Sequence, residues 1–391
     1  MIRIRGLSTA LLGLTAASLI SCCAGERTGF DIRYENGVPV RSYHTAVPPQ
    51  INPWRLGEPL LFGADQSAAT YLLARAGYIG ESTGGTVIVL DIRSHAFHRF
   101  SPEGRWLGAF GGIGGGPGEF SRGGILGWVQ GEEILVWDRM MHRLSFFDAS
   151  GDFLTSHPIN SLGSADYPVP YGSGGERRYL AVTQSGSIGP EQRTFHLRLR
   201  PLGDDLAPVA VLVDTLLATA VDRVGNRTVI PPFSRLGAAV AVAPDRPAVI
   251  WWPGEYRLDF LDAWTGERRA TVLPARARPV TRTLREWRIS YFIDDGLEVE
   301  ARRNLTFPER LPHIGALTWG SDGRLWVMDY LPIPEEAVSY TYNVFAPDGE
   351  WLFRQSFAFQ PRAFTAGGVW REAERDDGSP VLEYYPLVKA R

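Results

Sequence analysis

The chain has 391 residues, with 40 basic and 43 acidic side chains and a formal charge of −3. A balance so close to neutral argues against an electrostatic nucleic-acid binder, and no nucleic-acid partner is expected. The only cysteines are Cys22 and Cys23, which leaves everything after them without a disulfide or a catalytic or zinc-binding thiolate; a content of 44% hydrophobic and 12% aromatic residues fits a packed globule held by its core.

In chain order, the first element is a secretory signal. Arg3 and Arg5 precede an apolar run at 7–20 that ends Leu19-Ile20-Ser21-Cys22. A charged head, a short hydrophobic stretch and small residues before a cleavage point have this form, and the run is too short to span a bilayer comfortably. A cysteine at that point resembles the lipobox of bacterial lipoproteins, which implies that the Cys22 thiol is acylated and becomes the new N-terminus. The reading is a signal at 1–21, a lipidated tether at 22–36, and a body at 37–391 working outside the cytoplasm on a membrane surface. Residue 23 is not Asp, which by analogy points to the outer membrane.

The body is organised by a repeat. Residues 87–107 run VIVLD, a loop, AFHRFS, Pro-Glu-Gly and Arg-Trp-Leu; residues 134–154 run ILVWD, a loop, RLSFFD, Ala-Ser-Gly and Asp-Phe-Leu. Asp91 to Gly104 and Asp138 to Gly151 both span 13 positions, and the two units are offset by 47. A third copy at 324–352 separates Asp329 from Gly349 by 20 positions, its loop having grown by seven around 332–339. A worn copy occupies 249–272, and weaker units fit at 178–213 and 363–387. Short β-rich runs punctuated by Gly and Asp turns are strands. A period of about 45–50 residues with about four strands per unit is the signature of a propeller blade. The fold expected is all-β, a six-bladed β-propeller of four-stranded blades. Two strands are expected in the last unit, so the alternating segment 38–47 is expected to supply its missing outer strand and close the ring, since an open edge is adhesive.

The run Gly111-Gly-Ile-Gly-Gly-Gly-Pro-Gly-Glu-Phe120, followed by ILVWD and RLSFFD, resembles the NHL repeat, and residues 55–390 look like the six-bladed NHL-type propeller lipoproteins of bacteria. That resemblance implies a surface or periplasmic binding module of undefined ligand. One segment breaks the pattern: 274–312 lacks strand alternation, Thr283 with Glu286 makes a capping box, and Leu284, Trp287 and Tyr291 share one helical face. It is expected to be a helical insertion between blades four and five.

Most single motifs have plain structural readings. The glycines at 111–118 lack the following helix and Lys-Ser/Thr of a phosphate loop and are expected to carry the chain from one blade to the next. His95 and His98 lie three apart on a strand, on opposite faces, so they do not form a metal pair; no metal and no cofactor is expected. Asp91, Asp138 and Asp329 recur at the ends of second strands, where a carboxylate fixes the following loop.

Two functions are weighed. Loops between second and third strands and the connections between blades open on one face, where the extra sequence concentrates. This favours a binding or scaffold protein whose ligand face holds Arg93, His95, Arg139, His142, Arg282, Arg285, Arg288 and His313. Gathered guanidinium groups suit a carboxylate, a sulfate, or an anionic glycan or peptide. The alternative is a metal-dependent hydrolase or lyase of the lactonase-like propeller type; of the innermost-strand starts, only His313 offers it a ligand, and no catalytic residue is assigned.

Overall fold

The computed structural model describes residues 29–62, 75–163, 165–171, 178–234, 238–333, 338–376 and 378–390. Residues 1–21, Cys22, residues 23–28 of the tether and four residues of the enlarged loop (334–337) lie outside them.

The described chain begins with a hairpin, β1 (Phe30–Glu35) and β2 (Val38–Tyr43), then two short strands, β3 (Trp54–Leu56) and β4 (Leu60–Phe62). The first sheet is β5 (Ala76–Glu81), β6 (Val87–Asp91), β7 (Ala96–Phe100) and β8 (Trp106–Gly111). The second is β9 (Ile125–Gln130), β10 (Glu133–Asp138), β11 (Arg143–Asp148) and β12 (Phe153–Pro158). The third is β13 (Asp166–Tyr171), β14 (Arg178–Ile188), β15 (Gln192–Leu202) and β16 (Val213–Ala220). A hairpin of β17 (Asp222–Val224) and β18 (Arg227–Val229) follows. The fourth sheet is β19 (Ala239–Ala241), β20 (Ala248–Trp251), β21 (Arg257–Leu261) and β22 (Arg268–Val272). Two helices, α1 (Arg282–Ser290) and α2 (Glu298–Asn304), precede the fifth sheet, which is β23 (Ile314–Trp319), β24 (Leu325–Asp329), β25 (Tyr340–Phe345) and β26 (Trp351–Phe357). The sixth contains β27 (Ala363–Phe364), β28 (Gly368–Glu374) and β29 (Pro380–Lys389).

Each repeat motif has a run of apolar residues because its sheet is buried on both faces. In Val87–Asp91, Val87 and Val89 pack toward the sixth sheet, and Ile88 and Leu90 toward the second. In the second sheet Ile134 and Val136 face back to the first, while Leu135 and Trp137 face on to the third. The same alternation, period two, recurs at Ala248–Trp251 and Leu325–Asp329. Shared cores therefore join the first sheet to the second, the second to the third, and so on to the sixth, which returns to the first through Phe62, Phe100, Trp370 and Leu382. First strands of neighbouring sheets touch, as β5 does β9 and β27, and β19 does β23. Four-stranded antiparallel sheets packed face to face in a closed cycle make a β-propeller.

Closure differs from the expectation. Val38–Tyr43 does not complete the last sheet: it pairs in parallel with β22, with Val40 opposite Ala270, and extends the fourth sheet to six strands. The outer strand of the sixth sheet comes from β3 and β4, which pair antiparallel with Leu387–Lys389 and Leu382–Tyr384 of β29. Between β2 and β3 the chain crosses the outer strand of the fifth sheet, with Ile51 bridged to Arg354. The physical reason is separation along the rim. The long β29 needs an edge partner beside the first sheet, and residues 54–62 lie closest along the chain to β5.

The helices are less extended than the segment that carries them. The N-cap is Thr281, whose hydroxyl accepts from the Leu284 amide at 3.3 Å, in place of a capping box at Thr283. Leu284 and Trp287 pack against Phe233 and Leu311, while Tyr291 caps the C-terminus and is half exposed.

Tyr43 ties the hairpin to the fifth sheet: its buried hydroxyl accepts from the Trp351 amide at 2.7 Å, and its ring meets Trp351 edge-on at 5.5 Å. Tyr43→Phe strands that N–H without an acceptor, so denaturant unfolding is expected to show a loss of about 1–2 kcal/mol. An unchanged midpoint would mean that the hairpin does not hold this junction.

Candidate functional site

In each sheet the first strand starts, and the second and fourth strands end, on the same face, called here the upper face. Two concavities stand out. The axial channel, about 500 Å³, is lined by the first strand of the first sheet and by residues 128–131, 242–246, 318–321 and 362–364. Its charged groups are engaged with their neighbours. The Arg362 guanidinium donates to the Ala76 carbonyl and lies 3.7 Å from Glu372, Gln130 donates to Asp245 at 3.2 Å, and Arg246 donates to the Asp245 carbonyl at 3.0 Å. Burial raises the Glu81 pKa, opposed by hydrogen bonds from Thr365 and Trp370. Among the described residues no group of three His, Cys, Asp or Glu side chains is placed to hold a metal ion.

The second concavity, about 280 Å³, lies at the upper edge of the junction between the fourth and fifth sheets. It is lined by Tyr256 from the β20–β21 loop, Arg276 and Arg278 from the exit of β22, His313 at the entry to β23, and Asp329, Asn343 and Arg354 from the fifth sheet. Asp329 accepts from the Arg354 guanidinium and, at 3.1 Å, from the Asn343 amide. The same amide nitrogen donates to the Tyr256 hydroxyl at 3.1 Å. Burial pushes the Asp329 carboxyl up and Arg354 opposes it. The Tyr256 hydroxyl is held well above its ordinary value, first by burial and then by Asp329. His313 is held below its usual range by burial first, then by Arg278 and Arg310, which favours the neutral imidazole. Three guanidinium groups thus face one carboxylate, which is already committed to Arg354.

A two-stranded neck forms one wall. Pro279 and Arg310 bridge, the Val280 amide donates to the Glu309 carbonyl at 2.9 Å, and Leu311 donates to Arg278 at 2.8 Å. Beyond it α1 and α2 fold onto the β17–β18 hairpin around Val224, Ile289, Phe292, Ala301 and Leu305. The Gly225 amide donates to Glu300 at 2.6 Å, and Arg227 pairs with Asp295 at 2.6 Å.

Of the eight ligand-face residues read from the sequence, His313 alone lines this cleft. Arg93 and His95 occupy the β6–β7 turn, and Arg139 and His142 the β10–β11 turn; both histidines have positive φ, 57° and 49°. Arg282, Arg285 and Arg288 lie on α1, with Arg285 5.3 Å over the Phe307 ring and Arg288 5.2 Å over Tyr291. Glu286, the acid nearest them in sequence, pairs instead with Arg302 at 2.6 Å. His95 and His98 do not share a strand as expected: His95 sits in the β6–β7 turn with a positive φ, and His98 is a buried residue of β7. Sequence reasoning missed Tyr256, Asn343, Arg354, Arg276 and Arg278. The one available signal was Asp329, whose enlarged loop set it apart from Asp91 and Asp138.

No protein-family model matches the chain, and no curated protein does. Among solved structures it is similar to a putative exported protein from Bacteroides fragilis, at 10% identity and a TM-score of 0.48, covering 90% of this chain and 99% of that one. It is also similar to a streptogramin B lyase, at 12% identity and 0.37, covering 86% and 98%. A gluconolactonase from Xanthomonas campestris matches at 12% identity and 0.36, covering 88% and 98%. At these scores the likenesses carry no argument about the chemistry of this chain.

Removing a like charge from beside His313 should raise its pKa. In Arg278→Ala, an NMR titration of the histidine ring protons is expected to show His313 moving upward relative to the parent protein; a value that stays put or falls would assign the depression to burial and Arg310 without Arg278.

Proposed function

We propose that this chain is an extracytoplasmic binding protein: a six-bladed β-propeller of the NHL type, tethered through lipid on Cys22 to a bacterial membrane, the outer membrane in a two-membrane cell. Its ligand is an anion carried by a glycan, peptide or protein partner, bound on the upper face. The six-blade reading is supported by six sheets joined through six shared cores in a cycle. The helical insertion lies between blades four and five, where α1 and α2 occur in the chain.

The observation that carries the binding reading is the charge of the blade four–five cleft, where Arg276, Arg278 and Arg354 meet the single carboxylate of Asp329. Two positive charges remain in excess, and exposed Arg276 and Arg278 stand at its rim. Guanidinium groups favour carboxylate and sulfate through paired hydrogen bonds, and a half-enclosed site screens them less than open water does. Arg282, Arg285 and Arg288 belong to the cap behind the same neck and extend the basic surface away from the cleft.

Titration calorimetry of the soluble domain with a sulfated or uronate-bearing glycan tests this. Arg276→Ala/Arg278→Ala is expected to weaken binding at least tenfold, in line with about 1.5–3 kcal/mol per charged hydrogen bond. Equal binding by both proteins would remove the cleft from the site. The anchor has its own test: Cys22→Ser should release the protein from membrane fractions, because a thiol is needed for acylation. A variant that stays membrane-bound and unprocessed would refute lipidation.

A further inference from the structure

The cleft has a second chemistry at its inner end. Tyr256 and Asn343 form its floor, 4% and 3% exposed. Both amide hydrogens of Asn343 are used, one on the Tyr256 oxygen and one on Asp329. Asp329 fixes that orientation, since turning the amide over would set its oxygen against a carboxylate. The Asn343 carbonyl oxygen is consequently buried with no hydrogen-bond partner among the described residues. The Tyr256 oxygen accepts from Asn343, which leaves its own proton to be donated elsewhere. One acceptor and one donor, both buried, are left open on side chains that line the cleft. A buried polar group without a partner is costly, so such a pair selects the group that answers both.

We infer that this floor reads a hydroxyl group, and that the ligand is a compact hydroxylated carboxylate of the sugar-acid class, bound hydroxyl inward and anion outward. A hydroxyl donates to the Asn343 oxygen and accepts from Tyr256 at once. A carboxylate at the floor would offer the Asn343 oxygen no proton and would face Asp329; an ammonium group would offer Tyr256 no acceptor. The anion therefore belongs at the rim, with Arg276 and Arg278, and a cleft of about 280 Å³ holds roughly one sugar ring. Burial keeps Tyr256 protonated across the ordinary pH range, so its donor is always present. The inference rests on the anion-binding reading above and adds the orientation and the class of the ligand.

The test compares D-glucuronate with cyclohexanecarboxylate, which has a six-membered ring and the same charge but no hydroxyl, by calorimetry on the soluble domain. The protein is expected to bind glucuronate at least tenfold more tightly. Tyr256→Phe and Asn343→Leu are each expected to erase that preference while leaving cyclohexanecarboxylate binding within a few-fold. Tyr256→Phe, which keeps the ring and its packing, decides the matter if Asn343→Leu does not fold, and thermal melting establishes which variants do. Equal affinity for the two ligands in the parent protein, or a preference that survives in the folded variants, would overturn the hydroxyl readout while leaving anion binding in place. If neither ligand binds and Arg276→Ala/Arg278→Ala changes nothing, the anion reading itself falls, and this inference with it.

Discussion

The pairing of Leu387–Lys389 with Trp54–Leu56, and of Leu382–Tyr384 with Leu60–Phe62, is the constraint on which the rest of the molecule depends. Sheets packed face to face can form a ring only if the last finds the first. Here the final sheet takes three strands, β27–β29, from the C-terminal part of the chain and its outer strand from residues 54–62. Supplying that strand from the other end of the chain converts an open stack into a cycle. It also delivers Phe62 into the core between the sixth and first sheets, where it meets Trp370 at 4.6 Å and Phe100 at 5.8 Å. Without Phe62 the same junction would have a hole among large aromatics, which close-packed interiors tolerate poorly. The N-terminal strap does more than close this seam: it adds a parallel strand to the fourth sheet and crosses the fifth at Ile51. Three consecutive sheets are thus bound by one segment, and Ala46 on that segment is part of the cleft wall.

One sequence position shows how a repeat acquires a site. Asp91 and Asp138 end their second strands and hold the turns that follow. Asp91 accepts from the Arg93 amide and Ser94; Asp138 accepts from the Met140 and Met141 amides, both at 3.0 Å. Both are buried, and each also ties its turn to the segment leading into its own first strand, Asp91 through the Arg75 amide at 3.2 Å and Asp138 through the Ser121 amide at 2.6 Å. Asp329 occupies the same place, but the loop after it is longer. Its carboxylate turns sideways to Asn343 and Arg354 on the next two strands. A residue that serves turn geometry in two sheets serves a polar network in a third, where the next two strands bring Asn343 and Arg354 to it.

The sequence made the sheets with two buried faces easy to read, because burial on both sides requires unbroken apolar runs such as VIVLD, ILVWD and LWVMD. The strap was misplaced for the opposite reason. Residues 38–43 alternate well and look like the missing strand, whereas β3 and β4 are three residues each, split by Gly57-Glu58-Pro59, with too little pattern to compete. The segment that carries α1 and α2 stood out by its loss of strand alternation, but the β17–β18 hairpin it folds onto did not, being short and lying in a different connection. Of the cleft residues, only His313 and, through its enlarged loop, Asp329 stood out in the sequence. Tyr256, Asn343 and Arg354 come from a loop and two strands far apart in sequence, and nothing local distinguishes a strand asparagine that faces a carboxylate from one that faces water.

The location of the cleft has a structural cause. Both long connections that flank the fourth sheet carry extra chain, and each is too small to bury an apolar face alone. The β17–β18 hairpin contributes Val224 and Val229; the helices contribute Ile289, Phe292, Ala301 and Leu305, and only together do they form a core. The two inserts fold onto each other, and the base of the second is the paired neck at Pro279 and Arg310. That neck holds Arg278 beside His313, and the Arg278 guanidinium is fixed further by donating to the Tyr330 carbonyl, one residue after Asp329. The wall of the cleft is therefore tied to Asp329 through the backbone just beyond β24. Cap, neck and polar network form one connected structure, and a cation set on such a tether is positioned before any ligand arrives, which lowers the entropic cost of binding.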